Sequence, residues 1–253
     1  MTYHRPIRRA VFALAAAAAL GGCALLRTPE PLTIDTAYTQ GMEAFQAGRH
    51  RRAAELLTQF VTSTGADPRL KGALVALAAS HFAMREYVSA ASDYLRIVTE
   101  FPTDPEARDA RFGMCRAYHE LSPRPQLDPE YTTAAISYCE SYASIYPGTP
   151  DARQAQEWVG EMRDKLAEKA YQTGFFYYRR GLYDASIVYF NDVLAQYPQS
   201  EWAPAALNQL MLAYGRMGYR EEEAATRQRL LTQYPQSAQA RALAAAPADS
   251  AGG

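Results

Sequence analysis

The sequence has few of the residues that build metal sites and none of the motifs that define common enzyme classes. Only 3 Cys and 4 His occur in 253 residues, which leaves little material for a metal site with several ligands. No G-x-S-x-G, H-E-x-x-H, C-x-x-C or phosphate-binding loop is present. We therefore predict a protein that is not an enzyme and that binds no cofactor.

An excess of charge of one sign is also absent. The 26 basic and 27 acidic residues give a formal net charge of -1. Binding to nucleic acid is not expected, because such proteins normally carry a strongly basic surface. Hydrophobic residues make up 48% of the chain and charged residues 21%, which is typical of a folded protein.

No apolar run in the sequence is long enough to cross a bilayer. The longest uncharged apolar run lies near the N-terminus. The uncharged segment 10–20 is too short to span a membrane, which takes about 20 residues, and it matches the apolar part of a secretory signal. The positive segment before it contains Arg5, Arg8 and Arg9. Leu20-Gly21-Gly22-Cys23 follows and resembles the bacterial lipobox. This resemblance implies cleavage before Cys23 and acylation of its thiol and new amino group.

The predicted anchor divides the chain into four parts. Residues 1–22 are predicted to be a lipoprotein signal peptide and residues 23–34 a lipidated tether with two prolines. Residues 35–237 are predicted to form the folded domain, and residues 238–253 a disordered tail. Two or more acyl chains anchor a protein stably. Because Ala24 rather than Asp follows the cysteine, the sorting rule for such lipoproteins implies the periplasmic face of the outer membrane.

A repeated pattern of aromatic, small and proline residues organises the rest of the chain. Tyr87, Ala90 and Tyr94 precede Pro102, and the same offsets before Pro198 give Tyr183, Ser186 and Phe190. A small side chain lets two antiparallel helices approach closely, and the proline ends the second helix. This pattern is typical of the second helix of a tetratricopeptide (TPR) repeat.

Five such units account for the domain, at about residues 34–66, 69–103, 106–148, 150–199 and 201–236. We predict an all-α superhelical solenoid of about five TPR-like helix pairs, and the absence of alternating polar and apolar residues argues against strands. The third unit carries a proline-rich insertion within residues 121–130. The fourth begins with a long charged helix from residue 150 to about residue 180.

The first helix of each pair in a TPR array lines a concave face that binds peptides or proteins. The inward positions of the first three units are rich in aromatic residues and Met, which suits extended apolar or aromatic peptides. The predicted peptide-binding residues are Tyr38, Met42, Phe45, Val75, Phe82 and Phe112. The alternative for any one of them is packing between adjacent repeats.

A more specific similarity lies in residues 166–186. Leu166-Ala167-Glu168-Lys169 leads into FYYRRGLYDAS at residues 176–186, which resembles the LAEKE…YYxxGxYxAA segment of the BamD family of outer-membrane assembly lipoproteins. The resemblance implies binding to the POTRA domains of a BamA-type barrel protein, to other Bam components and to unfolded outer-membrane proteins. The N-terminal repeats would then receive the substrates' C-terminal β-signals, which usually end in an aromatic residue.

The partner-binding surface is predicted on the long fourth-unit helix and the helix after it, because a helix that outgrows its repeat offers a solvated ridge. The predicted residues are Lys165, Tyr178, Arg179, Arg180 and Tyr189. The chain departs from the family at Tyr189, where an Arg implicated in the BamA contact is common. A second hypothesis of the same binding class is a lipoprotein scaffold for peptidoglycan or cell-division machinery.

Two cysteines on the predicted third helix pair leave three alternatives open. Cys115 and Cys139 are predicted to lie about one helical turn apart across the helix pair, close enough for a disulfide, which an oxidising envelope favours. They also suit two buried free thiols. With His119, four residues after Cys115, they would supply three zinc ligands. This metal site is the basis of a third hypothesis, an enzyme or metalloprotein. His50 and His81 are predicted to be structural or surface residues.

Overall fold

The computed structural model describes residues 33–245, which form eleven α-helices and no strand. The antiparallel pairs are α1 (Ile34–Gln46) with α2 (His50–Ser63), α3 (Leu70–Ala83) with α4 (Tyr87–Glu100), α5 (Pro105–Leu121) with α6 (Glu130–Ile145), α7 (Pro150–Arg179) with α8 (Tyr183–Gln196), and α9 (Ala203–Met217) with α10 (Arg220–Gln233). A short eleventh helix, α11 (Ala238–Ala245), follows. The predicted all-α solenoid of five helix pairs is confirmed.

The helix pairs stack in the order of the chain. Each helix packs against the next along the chain, and the first helices of successive pairs also contact one another. Successive second helices make no such contact in the part of the chain that the structure describes. The first helices therefore lie on the inner, concave side of the superhelix, and the second helices lie on the outer side.

Glycines mark the points of closest approach between helices. A Cβ atom at Gly174 in α7 would lie 2.8 Å from Cε1 of Phe190 in α8. One at Gly113 in α5 would lie 2.6 Å from Cζ of Tyr94 in α4. These distances are shorter than normal van der Waals contact, so the pattern of small and large residues in the sequence determines how tightly the helices pack.

The cores of the array fall into three clusters. One joins the first two helix pairs around Phe60, a second lies in the third pair and the start of α7 around Tyr142, and a third joins the last two pairs around Phe190. All three side chains are almost completely buried. Each cluster spans neighbouring helices, so no pair buries its apolar face alone.

The third pair carries a disulfide between Cys115 in α5 and Cys139 in α6. Their Cα atoms lie 4.7 Å apart, within the range that a disulfide allows, and both side chains are buried. The zinc arrangement is contradicted, because the sulfurs are joined and His119 instead stacks on Trp158. No group of three or more His, Cys, Asp or Glu suited to a metal occurs within residues 33–245.

The long helix and the insertion before it form one unit. Helix α7 has 30 residues; Pro150 is at its start and the Thr149 hydroxyl accepts a hydrogen bond from the Ala152 amide. The insertion over residues 122–129 lies against it. Lys165 Nζ donates to Ser122 Oγ at 3.2 Å, and Lys169 Nζ donates to the Leu127 carbonyl at 2.7 Å.

The C-terminal segment differs from the prediction of a disordered tail. Ser237 Oγ accepts a hydrogen bond from the Ala240 amide and caps α11. Ala240 is buried, and Leu243 packs against the core of the last two pairs. The prediction is therefore wrong over Ala238–Ala245, because these apolar side chains have a surface to cover. Residues 246–253 lie outside the described residues.

The predicted anchor also lies outside the described residues. This applies to the signal peptide over residues 1–22, to the lipidated Cys23 and to most of the tether, since the description begins at Thr33, the N-cap of α1. None of the helices within residues 33–245 has the length and apolar character needed to cross a membrane.

Candidate functional site

A groove of about 400 Å³ opens between α3 and α5 on the concave side of the array. Its apolar lining consists of Val75 and Ala79 from α3, Tyr94 and Ile97 from α4, and Ala110, Phe112 and Gly113 from α5. Because Gly113 has no side chain, the Tyr94 ring packs against α5 and forms part of the wall. Burial raises the pKa of the Tyr94 hydroxyl, and the charge of Arg116 opposes this effect.

The two ends of the groove carry opposite charge. Glu106, Asp109 and Asp151 line one end, and Arg116 lines the other. Lys71 Nζ lies 3.2 Å from Glu106 Oε2. Arg108 Nη2 lies 3.6 Å from Asp151 Oδ2, so two of the three carboxylates form ion pairs.

Three of the six predicted peptide-binding residues lie in or beside this groove. Val75 and Phe112 line it. The Phe112 ring is supported from behind by the Trp158 ring, whose centroid is 5.6 Å away. The Phe82 ring lies at the positive end, with the Arg116 guanidinium 4.5 Å above its centroid.

The other three predicted residues pack elsewhere. Tyr38, Met42 and Phe45 are half-buried in α1 and pack against the core of the first two helix pairs. The Tyr38 ring lies 5.0 Å from the Phe60 ring, and the Arg69 guanidinium lies over both rings. These three side chains contribute to packing between helices, the alternative named above, and do not line the groove between α3 and α5.

The residues of the predicted partner surface differ in exposure. Arg179 and Arg180 are exposed at the end of α7, whereas Lys165, Tyr178 and Tyr189 are half-buried. Lys165 holds the insertion in place. The Tyr178 ring stacks at 6.4 Å on Phe175, and the Tyr189 ring stacks at 5.5 Å on Tyr177.

An exposed aromatic side chain stands at the centre of this surface. Phe176 is 50% exposed, and the Arg180 guanidinium lies 4.3 Å from the centroid of its ring. One depression beside it, of about 360 Å³, is lined by Gln126, Lys169, Gln172, Thr173, Phe176 and Tyr177. The other, of about 520 Å³, is lined by Gln172, Phe175, Phe176, Arg179 and Arg180.

A wider groove of about 740 Å³ lies on the outer side, between α6, α7 and the end of α8. It arises because the long α7 holds α6 and α8 apart. An ion pair between Glu140 and Arg163 forms part of its lining. None of the predicted site residues contributes to this groove.

Several surface residues were not identified from the sequence. Asp109 shares a helix face with Phe112 and Arg116, so their spacing contained a signal for one charged end of the groove. Asp151 comes from the next helix, and its place in the groove depends on how α5 and α7 pack. Phe176 lies inside the segment 176–186, but its exposure follows from the superhelix.

The stacked helix pairs, with an apolar groove on the inner side, define a TPR-like helical repeat protein. Residues 32–230 match the family model described as "YfiO: Outer membrane lipoprotein". The chain belongs to this family.

Two curated relatives carry the name "Outer membrane protein assembly factor BamD". The protein from Caulobacter vibrioides is 24% identical over 217 residues, which cover 84% of this chain and 71% of the relative. The protein from Vibrio cholerae is 30% identical over 105 residues, which cover 42% of this chain and 44% of the relative. Among solved structures, a tetratricopeptide repeat protein from Parabacteroides merdae is similar with a TM-score of 0.38 and 17% identity, covering 83% of this chain and 84% of that one.

Proposed function

We propose that this protein is a lipoprotein of the outer membrane that acts in the assembly of outer-membrane proteins. The observation that carries the proposal is the family match over residues 32–230, together with two relatives that are named as assembly factors. The relatives are assembly factors rather than enzymes, and this chain is likewise not an enzyme. Its activity is binding, and the proposed mechanism needs no cofactor.

The groove between α3 and α5 is the proposed receptor for unfolded substrates. It offers an apolar floor with Val75 and Phe112 between polar ends, as an extended peptide with an aromatic residue requires. The proposed ligand is the C-terminal β-signal of an unfolded outer-membrane protein. Phe82 beside the groove extends the aromatic surface.

The surface around Phe176, Arg179 and Arg180 is the proposed contact for the POTRA domains of a BamA-type barrel protein. An exposed aromatic ring beside arginines is typical of residues that dominate the affinity of an interface. Stacked Tyr177 and Tyr189 support this surface from below. Lys165 and Tyr178 contribute by holding the insertion and the helix in place.

Cys23 is the proposed lipid attachment site, and the outer membrane, on its periplasmic face, is the proposed location. Because the folded domain begins at α1, a tether of about ten residues would separate it from the membrane. A triacylated cysteine would keep the protein at the membrane surface without a spanning helix. Other Bam components would meet the protein there.

Isolation of the protein from membranes under mild detergent tests the proposal. We expect a BamA-type barrel protein to be recovered with it, identified by mass spectrometry. Recovery with peptidoglycan-binding or cell-division proteins and without any barrel protein would favour the second hypothesis instead. A tagged lipoprotein of unrelated fold from the same membranes serves as the control for non-specific recovery.

A further inference from the structure

We infer that the groove between α3 and α5 distinguishes the two directions of a bound chain. The C-terminal carboxylate of the ligand lies at Arg116, and a basic side chain about three residues upstream lies at Asp109. This inference rests on the proposed function, because it states how the same groove recognises a C-terminal segment.

The spacing along α5 sets the length of the ligand. Asp109, Phe112 and Arg116 are at positions i, i+3 and i+7 and therefore share one face of the helix. With a rise of 1.5 Å per residue, Asp109 and Arg116 are about 10 Å apart along the axis. An extended chain advances about 3.3 Å per residue, so about three residues span this distance.

Two of the charged side chains at the ends of the groove form no salt bridge in the part of the chain that the structure describes. Asp109 and Arg116 are both exposed, and neither makes an ion pair within residues 33–245. Glu106 and Asp151 at the acidic end are already next to Lys71 and Arg108. A peptide bound in the opposite direction would place its basic side chain next to Arg116 and its C-terminal carboxylate next to Asp109. Both contacts would bring like charges together and oppose binding.

The floor between these charges fits the side chain of a terminal aromatic residue. Phe112 lies between Asp109 and Arg116, and its ring is backed by Trp158 and by Tyr142, at centroid distances of 5.6 and 5.1 Å. The contact of Arg116 with the Phe82 ring holds the guanidinium at the end of the groove before a ligand arrives. Such preorganisation lowers the entropy lost on binding.

Two peptides that differ only at the C-terminus test the inference. Each is a labelled synthetic ten-residue peptide that ends in Phe and carries Lys three positions before it; one has a free carboxylate and the other a C-terminal amide. Binding to the full chain in detergent is measured by fluorescence anisotropy. We expect the free acid to bind about tenfold more tightly, the value of one charge-assisted hydrogen bond at a partly exposed site.

Substitutions in the groove identify the residues responsible. Arg116→Gln should remove the difference in affinity between the acid and the amide peptide. The control Arg153→Gln should keep this difference, because Arg153 is exposed on α7 outside the groove. Asp109→Asn should remove the preference for Lys over Gln at the upstream position. Thermal unfolding of each variant checks that the fold is intact.

The outcomes separate this inference from the proposed function. Equal binding of acid and amide, or a difference that persists in Arg116→Gln, would overturn the inference and leave the groove as a receptor without directional preference. Absence of binding by both peptides would overturn the inference together with the role of the groove in receiving substrates.

Discussion

At the scale of single residues, the contact between His81 and Asp93 links the stability of the second helix pair to pH. His81 Nδ1 in α3 lies 2.6 Å from Asp93 Oδ2 in α4, and Glu86 Oε2 lies 3.9 Å from Nε2. The hydrogen bond to Asp93 raises the pKa of His81, although partial burial opposes the shift. Protonated His81 is therefore favoured in the folded state.

The sign of this effect gives the first prediction. The contribution of His81 is fully present below the pKa of an unfolded His, about 6.5, and is lost as pH rises through the higher pKa of the folded state. We expect the free energy of unfolding, measured with urea, to fall between pH 6 and pH 8. This fall should be larger for the wild type than for His81→Gln. Asp93→Asn serves as a second variant and should also flatten the profile. An NMR titration that gives His81 a pKa at or below 6.5 would contradict the prediction.

Two glycines of α7 provide a matched pair for the second prediction. Gly160 has open space around its Cβ position, whereas Gly174 faces the buried Phe190 ring. Gly160→Ala should stabilise the protein by about 0.5–1 kcal/mol, because Ala favours the helix. Gly174→Ala gains the same helix preference but overpacks the contact with α8, so we expect a net loss of about 1–2 kcal/mol. Urea unfolding measures both changes, and equal shifts would argue against close packing at Gly174.

At the scale of helices, the disulfide joins α5 to α6 across the proline-rich insertion and gives the third prediction. The bridge connects residues 24 positions apart, and reducing it should cost about 3 kcal/mol of stability on the chain-entropy model. Chemical unfolding with and without reductant measures the loss. A Cys115→Ala and Cys139→Ala double variant should be equally destabilised and insensitive to reductant. Alkylation of both residues in unreduced, denatured protein would show that the bridge is absent.

The sequence predicts most of the helices but only part of the groove. Close helix contacts require a small residue opposite a large one, so the offsets that include Ala90 and Ser186 reveal the helix pairs directly. The joint position of Asp109 and Asp151 depends on the superhelix, which no local pattern encodes. The packing of Tyr38 against Phe60 likewise follows from tertiary contacts rather than from the position of Tyr38 in its repeat. Helix α11 was missed because its Ala-rich composition matches a tail as well as a helix.

At the scale of the whole molecule, the partner surface gives the fourth prediction. Replacing Arg179 and Arg180 together by Glu removes two exposed cations beside Phe176 and introduces repulsion toward an acidic partner. We expect recovery of the barrel partner to fall at least tenfold while the thermal unfolding temperature stays unchanged. The matched control replaces Arg51 and Arg52, two neighbouring exposed arginines on α2, by Glu. Unchanged recovery in the first variant would exclude this surface as the contact.

The anchor gives the fifth prediction. Cys23→Ser removes the thiol that lipidation requires, so the protein should move from the membrane fraction to the soluble fraction. Fractionation with immunodetection measures the shift, and Arg153→Gln, at an exposed position on α7, is a control that leaves both the N-terminus and the disulfide unchanged. Intact-mass analysis of the wild type should show an acylated residue 23; an unmodified N-terminus at another residue would contradict the anchor.

Helix α7 has a mechanical consequence. In a stack of helix pairs each repeat contacts only its neighbours, so a displacement passes from one interface to the next. Helix α7 has 30 uninterrupted residues, measures about 45 Å and crosses more than one of these interfaces. Its N-terminal half packs on α6 and its C-terminal half on α8, so a displacement of one end of the helix also moves the other end. A force applied at Arg179 would therefore be transmitted along α7 to Asp151, which lines the groove between α3 and α5.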